Sequence, residues 1–214
     1  MGEKIIQPPF YKSGFYDTGA AGGGGGGGDY IDVDGKQVKI KQIDNLFWTC
    51  ENISVLNVPD VVYNGDTSNN PRAFWYRKEI RNKGYGLLWN LAGAKKCLDY
   101  LIDLKNDGWR IPTKADFENL MTYYEGNTIK LKSEIGWSVD CNGTNESELN
   151  ITAGGRYSGN DAWSSYGIEA YLITSTQQNT STNYAFIAFA NSDNYAIQSW
   201  YLNQCFNLRL CKDT

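Results

Sequence analysis

Histidine is absent from this chain of 214 residues. Its absence removes Ser-His-Asp and Cys-His catalysis and the commonest zinc ligand, leaving carboxylates, Lys, Tyr and Cys as acid-base groups. A long apolar run is also missing, since none approaches the roughly 20 residues a helix needs to cross a bilayer, so no membrane insertion is expected. No basic block occurs: 20 Lys and Arg stand against 24 Asp and Glu for a net charge of -4. Phosphate binding needs clustered cations, so nucleic acid is not an expected partner. The opening Met-Gly-Glu-Lys-Ile-Ile-Gln-Pro-Pro has no apolar core segment and no lipobox-like cysteine, which reads as no export signal. Cysteine is sparse and odd in number, with Cys50, Cys97, Cys141, Cys205 and Cys211 forming no Cys-x-x-Cys pair. Buried free thiols in a reducing cytosol are therefore favoured over a disulfide framework or a zinc site, although a pair using Cys205 or Cys211 stays open in oxidising surroundings.

What is present is a composition 41% hydrophobic and 14% aromatic, enough for a real core. The stretch from Asp107 to Leu120 organises the chain. Asp107-Gly108 makes a turn, Trp109 to Ile111 runs extended, and Pro112 keeps Ile111 out of the helical region. Thr113 then caps a helix, with Asp116 as its capping-box partner. Phe117, Leu120, Met121 and Tyr124 follow at helical spacing and face inward.

Before this hinge lie three different textures. Residues 1–28 hold Phe10, Tyr11, Phe15 and Tyr16 followed by seven consecutive glycines, Gly22 to Gly28. An aromatic arm too short to fold alone, on a flexible spacer, reads as an anchor peptide that docks on another protein. Residues 29–43 alternate around Asp34-Gly35 and read as a connecting β-hairpin. Residues 44–214 read as one domain, with a loop at 57–73 and a helix over 91–104. On that helix Ala94, Cys97, Leu98, Leu101 and Ile102 share a face. After the second helix the chain reads as loop, then as strands at 169–174, 184–190, 195–202 and 207–211. Two helices and a late antiparallel sheet predict an α+β fold with an extended N-terminal arm.

Five ordered motifs carry a resemblance. They are Gly108-Trp109-Arg110-Ile111-Pro112-Thr113-Lys114-Ala115-Asp116-Phe117, then Leu131-Lys132-Ser133 with Gly136-Trp137, then Gly143-Thr144-Asn145-Glu146-Ser147, then Gly154-Gly155-Arg156-Tyr157, and finally Leu208-Arg209-Leu210-Cys211-Lys212-Asp213. In this order they resemble the Fibrobacter succinogenes major paralogous domain found in gut Bacteroidetes and their bacteriophages. That family implies a C-type-lectin-like fold, which binders, scaffolds and enzymes share. Residues 45–53 resemble its first strand, and residues 84–90 resemble its tyrosine-rich strand before the first helix.

Candidate chemistry is thin. Glu134, Asp140, Glu146, Glu148 and Asp161 could supply a carboxylate pair for glycoside hydrolysis, but they sit in a polar loop where solvated carboxylates are the rule. Cys205 and Cys211 invite comparison with formylglycine-generating enzymes of the same fold class, without their spacing. The Glu-Pro-Asn type of sugar-binding calcium loop is missing, because all five prolines lie at or before Pro112. A structural Ca2+ among Asp140, Asn142, Asn145 and Glu146 remains as the one cofactor option. Trp137 and Trp163 are assigned to the core.

The last third is rich in Tyr, Trp, Asn and Ser, the composition of an adaptable binding surface. Tyr184, Asn191, Asn194, Tyr195, Trp200, Tyr201 and Asn203 are the expected ligand- or receptor-binding residues, with Tyr201, Asn203 and Asn191 the most exposed. Arm, spacer and head together predict a non-enzymatic virion protein of a bacteriophage. It would be a head- or tail-fibre or decoration subunit, assembled in the host cytoplasm as a homo-oligomer, anchored to a capsid or tail scaffold and displaying its head to a host surface glycan or protein. The alternative is a bacterial cell-surface adhesin or glycan-binding module.

Overall fold

The computed structural model describes residues 29–63, 70–159 and 162–214. The arm residues Phe10, Tyr11, Phe15 and Tyr16, and the candidate carboxylate Asp161, lie outside them.

The described chain is a mixed α+β structure with more strand than helix. Strands β1 (Tyr30–Val33) and β2 (Lys36–Ile43) flank the Asp34-Gly35 turn, where both φ angles are positive, 54° and 79°. Such a two-residue turn matches the twist of its strands. The hairpin is built into a sheet of order β1-β2-β3-β13, with β3 at Leu46–Thr49 and β13 at Cys211–Asp213. Its Val33, Val38 and Ile43 are core residues.

The second sheet has seven strands in the order β11-β10-β9-β12-β6-β5-β4. These are β4 (Val62–Tyr63), β5 (Arg72–Phe74), β6 (Leu88–Trp89), β9 (Glu169–Asn179), β10 (Thr182–Phe189), β11 (Tyr195–Tyr201) and β12 (Phe206–Asn207). Strands β9 to β11 are antiparallel, as expected, whereas β12 joins β9 in parallel. Both faces of this sheet are packed along β9 and β10. Tyr171, Ile173, Ala185 and Ile187 pack on one side with Leu91, Ala94 and Cys97 of α1 (Leu91–Tyr100). Leu172, Phe186 and Ala188 pack on the other with Phe117, Leu120 and Met121 of α3 (Lys114–Tyr123).

Several sequence expectations require correction. The helix read over 91–104 breaks at Leu101, whose ψ of 55° is non-helical, and resumes as α2 (Ile102–Asn106). The break turns Ile102 outward, leaving it 49% exposed, so it does not share the face of Ala94 and Cys97. The described α-helices therefore number three. The strand read at 207–211 is two short strands in two different sheets. Between them Leu208, Arg209 and Leu210 are all buried, so the segment lacks the alternation of a one-faced strand. The region after α3 is not all loop, since β7 (Arg156–Gly159) and β8 (Ala162–Ser164) form a separate pair.

The organising hinge forms as read. Thr113 Oγ1 accepts the Asp116 amide at 3.1 Å, and Asp116 Oδ2 accepts the Thr113 amide at 2.6 Å. Asp116 also takes Arg110 Nη1 at 2.5 Å and Nη2 at 3.2 Å. Burial alone would raise its pKa, but the Arg110 and Thr113 hydrogen bonds outweigh it and hold the carboxyl below its ordinary value of 3.8. A depressed carboxyl pKa stabilises the fold above the unfolded value, and that stability is lost as pH falls through the folded one. Asp116→Asn is therefore expected to cost about 2 kcal/mol at neutral pH. In urea titrations the gap from the parent chain should stay constant above about pH 5 and shrink below about pH 4. A gap independent of pH would exclude the ionised cap.

Candidate functional site

Strand register decides which of the expected binding residues meet. Tyr195 pairs with Ala188, Ser199 with Tyr184, and Tyr201 with Thr182. Paired residues share a sheet face, so Tyr195, Tyr184 and Tyr201 lie in one row on the α3 side. Tyr195 is 37% and Tyr201 65% exposed, and Tyr184 is half-buried between them. The row spans about 20 Å at the usual rise per strand residue. It is held rigidly. The Tyr195 ring stacks on buried Phe186 at 5.9 Å, and Lys114 Nζ lies 4.9 Å from the centre of the Tyr184 ring. The Lys114 amide donates to Thr176 Oγ1 at 3.0 Å, and its ammonium also lies 3.4 Å from Glu118 Oε1. Hydroxyls of Thr182 and Ser199 and the Lys114 ammonium thus border three aromatic rings.

The other expected residues do not join this row. Trp200 occupies the opposite face, with the Arg156 guanidinium 4.1 Å from its ring centre and Tyr171 and Phe206 against it. Asn203 is half-buried, contrary to the expectation of exposure, and its carbonyl accepts Arg72 Nη2 at 3.1 Å. Asn191 and Asn194 are exposed on the β10–β11 turn at the Tyr195 end. There Asn191 Oδ1 accepts Cys141 Sγ at 2.9 Å, and the Asn194 amide donates to Ser192 Oγ at 2.9 Å.

The motif residues turn out to be scaffolding. Arg209, 2% exposed, donates to Asn52 Oδ1 at 2.6 Å, to the Thr49 and Leu149 carbonyls at 2.7 Å and to the Asn150 carbonyl at 3.1 Å. Burial lowers its pKa to about 10. Lys132, also 2% exposed, places Nζ 3.0 Å from the Ala190 carbonyl and 3.2 Å from that of Phe189, tying the motif loop to the β10 end. Trp137 is core, as expected, with Nε1 donating to Ile151 O at 3.1 Å. Trp163 is only half-buried. It belongs to a chain of rings in contact, Tyr85, Tyr166, Tyr76, Trp163, Tyr157 and Phe74, some stacked and some tilted or edge-on, with centroids 4.6 to 5.4 Å apart. This ladder was not read from the sequence, because its rings come from three separate stretches.

The candidate acid-base groups are dispersed. Glu148 is paired with Lys39 at 2.6 Å and with Lys41, and those hydrogen bonds lower its carboxyl to about 2. Glu146 lies 3.8 Å from Lys130. Asn142 and Asn145, read as calcium ligands, turn their Oδ1 atoms to the amides of Trp137 and Asn150 instead. Among the described residues no group of three His, Cys, Asp or Glu is gathered to hold a metal. All five cysteines are free, and Cys205 and Cys211 belong to different core clusters, each thiol pushed up to about 12 by burial. A groove of about 360 Å³ beside α3 was also not anticipated. Asn119 and Tyr123 line it, and Arg110 bridges Asp116 and Asp213 within it. Of its three aspartates, Asp116 and Asp213 pair with the guanidinium, and Asp44 lines the groove beside them.

Comparison with protein-family models, with curated proteins and with solved structures finds no match for this chain.

Proposed function

We propose that this chain is a non-enzymatic display protein of a bacteriophage particle, a fibre or decoration subunit whose lectin-like head attaches to a host-surface glycan. The observation that carries the reading is the tyrosine row, Tyr184, Tyr195 and Tyr201, on β10 and β11 at the edge of a sheet whose central strands are packed on both faces. Aromatic faces stack on the apolar C–H faces of sugar rings, and Tyr hydroxyls with neighbouring Ser, Thr and Lys groups supply hydrogen bonds at low entropic cost. A rigid platform of this kind binds without reorganising. The motif order that resembles the Fibrobacter paralogous domain supports a C-type-lectin-like head, and the aromatic arm of residues 1–28 supplies the anchoring end of the reading.

Two variants separate the two ends of the molecule. Binding of the purified chain to host cells should fall by more than about ten-fold in the Tyr184→Ala/Tyr201→Ala double variant, the loss of two aromatic contacts of about 1 kcal/mol each. Deleting residues 1–28 should leave that binding intact and abolish incorporation into particles. Equal cell binding by the double variant, with unchanged circular dichroism, would sink the tyrosine platform. Normal incorporation of the truncated chain would sink the anchor.

A further inference from the structure

The two larger sheets have four outer edges, and three of them carry devices that discourage pairing. Strand β4 is two residues long. Strand β1 carries Asp32, and β13 is three residues with Lys212 and Asp213. Short edges and edge charges are the usual protections against strand addition. Strand β11 has neither. It is seven residues, Tyr195 to Tyr201, without a charge or a proline, and it pairs only with β10 among the described residues.

The register shows which backbone groups it leaves unpaired. Leu202 N–H donates to Ser181 O at 3.0 Å, continuing the line on which Tyr201 stands opposite Thr182. Hydrogen-bonding direction alternates along a strand. The even residues of β11 therefore address β10, and Tyr195, Ile197, Ser199 and Tyr201 turn their N–H and C=O groups outward.

We propose that β11 pairs antiparallel with β11 of a second copy about a two-fold axis at Gln198. Gln198 is the midpoint of the strand, and full overlap about it sets Ile197 against the partner's Ser199 and Tyr195 against the partner's Tyr201. All four are outward-bonding positions, so the ladder closes without a bulge. On the tyrosine face the exposed rings meet as aromatic cross-strand pairs, a favourable combination. On the other face Ala196 stands beside the partner's Trp200, small against large. No like charges are brought together. The same patch serves both copies, as a two-fold interface requires. The two tyrosine rows then form one continuous surface, so a repeating ligand is held at two places at once.

The pairing is argued from β11 alone and does not depend on the display role. Sedimentation equilibrium of the full chain tests it. The parent chain should be a dimer. Gln198→Lys sets two ammonium groups face to face at the axis, where paired Cα atoms stand about 4.5 Å apart. Ser199→Pro removes an outward N–H and leaves the β10 ladder intact. Each should weaken the dimer at least about ten-fold with unchanged circular dichroism. Gln198→Cys, at an exposed position, should give a disulfide-linked dimer on mild oxidation, since the cross-axis distance suits the bond. A parent chain that is monomeric or trimeric at about 100 μM, well above the Kd of a specific pair, overturns the proposal. So does a dimer insensitive to both substitutions, or a Gln198→Cys chain that fails to cross-link. A failed dimer test leaves the cell-binding result standing, and the reverse holds too.

Discussion

Arg209→Ala is expected to remove about 3–5 kcal/mol of folding stability, which is most of what a domain of this size usually has. The side chain is 2% exposed and reaches four acceptors, three of them main-chain carbonyls, from two segments far apart in sequence, Thr49 with Asn52 and Leu149 with Asn150. Truncation leaves those acceptors buried without donors, at about 1–3 kcal/mol for each that water cannot reach. It also opens a cavity beside Trp48, Phe117, Leu149 and Leu172. Arg209→Lys should recover only part of the loss, because an ammonium cannot span acceptors that a planar guanidinium reaches with three nitrogens. The check is a urea titration followed by Trp fluorescence. If the midpoint of Arg209→Ala falls by less than the equivalent of about 1 kcal/mol, the buried guanidinium is not the tie that its geometry describes.

Gly93→Ala tests a different tie, and here two effects of opposite sign compete. Gly93 lies inside α1, where alanine is the better helix former by about 1 kcal/mol. A Cβ built on Gly93, however, would stand 2.3 Å from the Arg72 carbonyl oxygen and 2.9 Å from its nitrogen. Both are backbone atoms of β5, pinned by Asn90, whose Oδ1 accepts the Arg72 and Gly93 amides at 3.0 and 2.8 Å. The neighbour cannot swing away as a flexible side chain would. Helix and strand must separate, and overpacking of this kind costs about 1–3 kcal/mol. A net loss of about 2 kcal/mol is therefore expected, visible as a lower Tm. A stabilised Gly93→Ala chain would mean that α1 does not sit against β5 as closely as described.

The same residues show how much was legible in advance. The hinge from Asp107 to Tyr124 could be read because its determinants are local: a turn pair, a proline, a capping box within four residues and an apolar stripe one helical turn apart. The Asp34-Gly35 hairpin was legible for the same reason. The break at Leu101 was not, since neither glycine nor proline marks it. Nor was the division of 206–213 between two sheets, because a segment buried on every side shows no period.

For the candidate site the division is sharper. Composition singled out the Tyr- and Asn-rich last third, and alternation marked the strands that carry it. Which side chains share a face depended on register between β10 and β11, set by a turn and by pairing across the sheet. That register united Tyr184, Tyr195 and Tyr201 and sent Trp200 beneath Arg156.

Taken by itself, the amino-acid sequence determined which acid-base groups are present: without histidine, they are carboxylates, Lys, Tyr and Cys. It also determined the local starts, turns and caps. Only the tertiary structure decided that the motif cations Arg209 and Lys132 hold the core together, that the carboxylates are tied to Lys and Arg, and that one uncharged strand was left at an open edge. Those outcomes depend on contacts between residues as many as 160 positions apart, as between Arg209 and Thr49, and no local pattern encodes a contact at that separation.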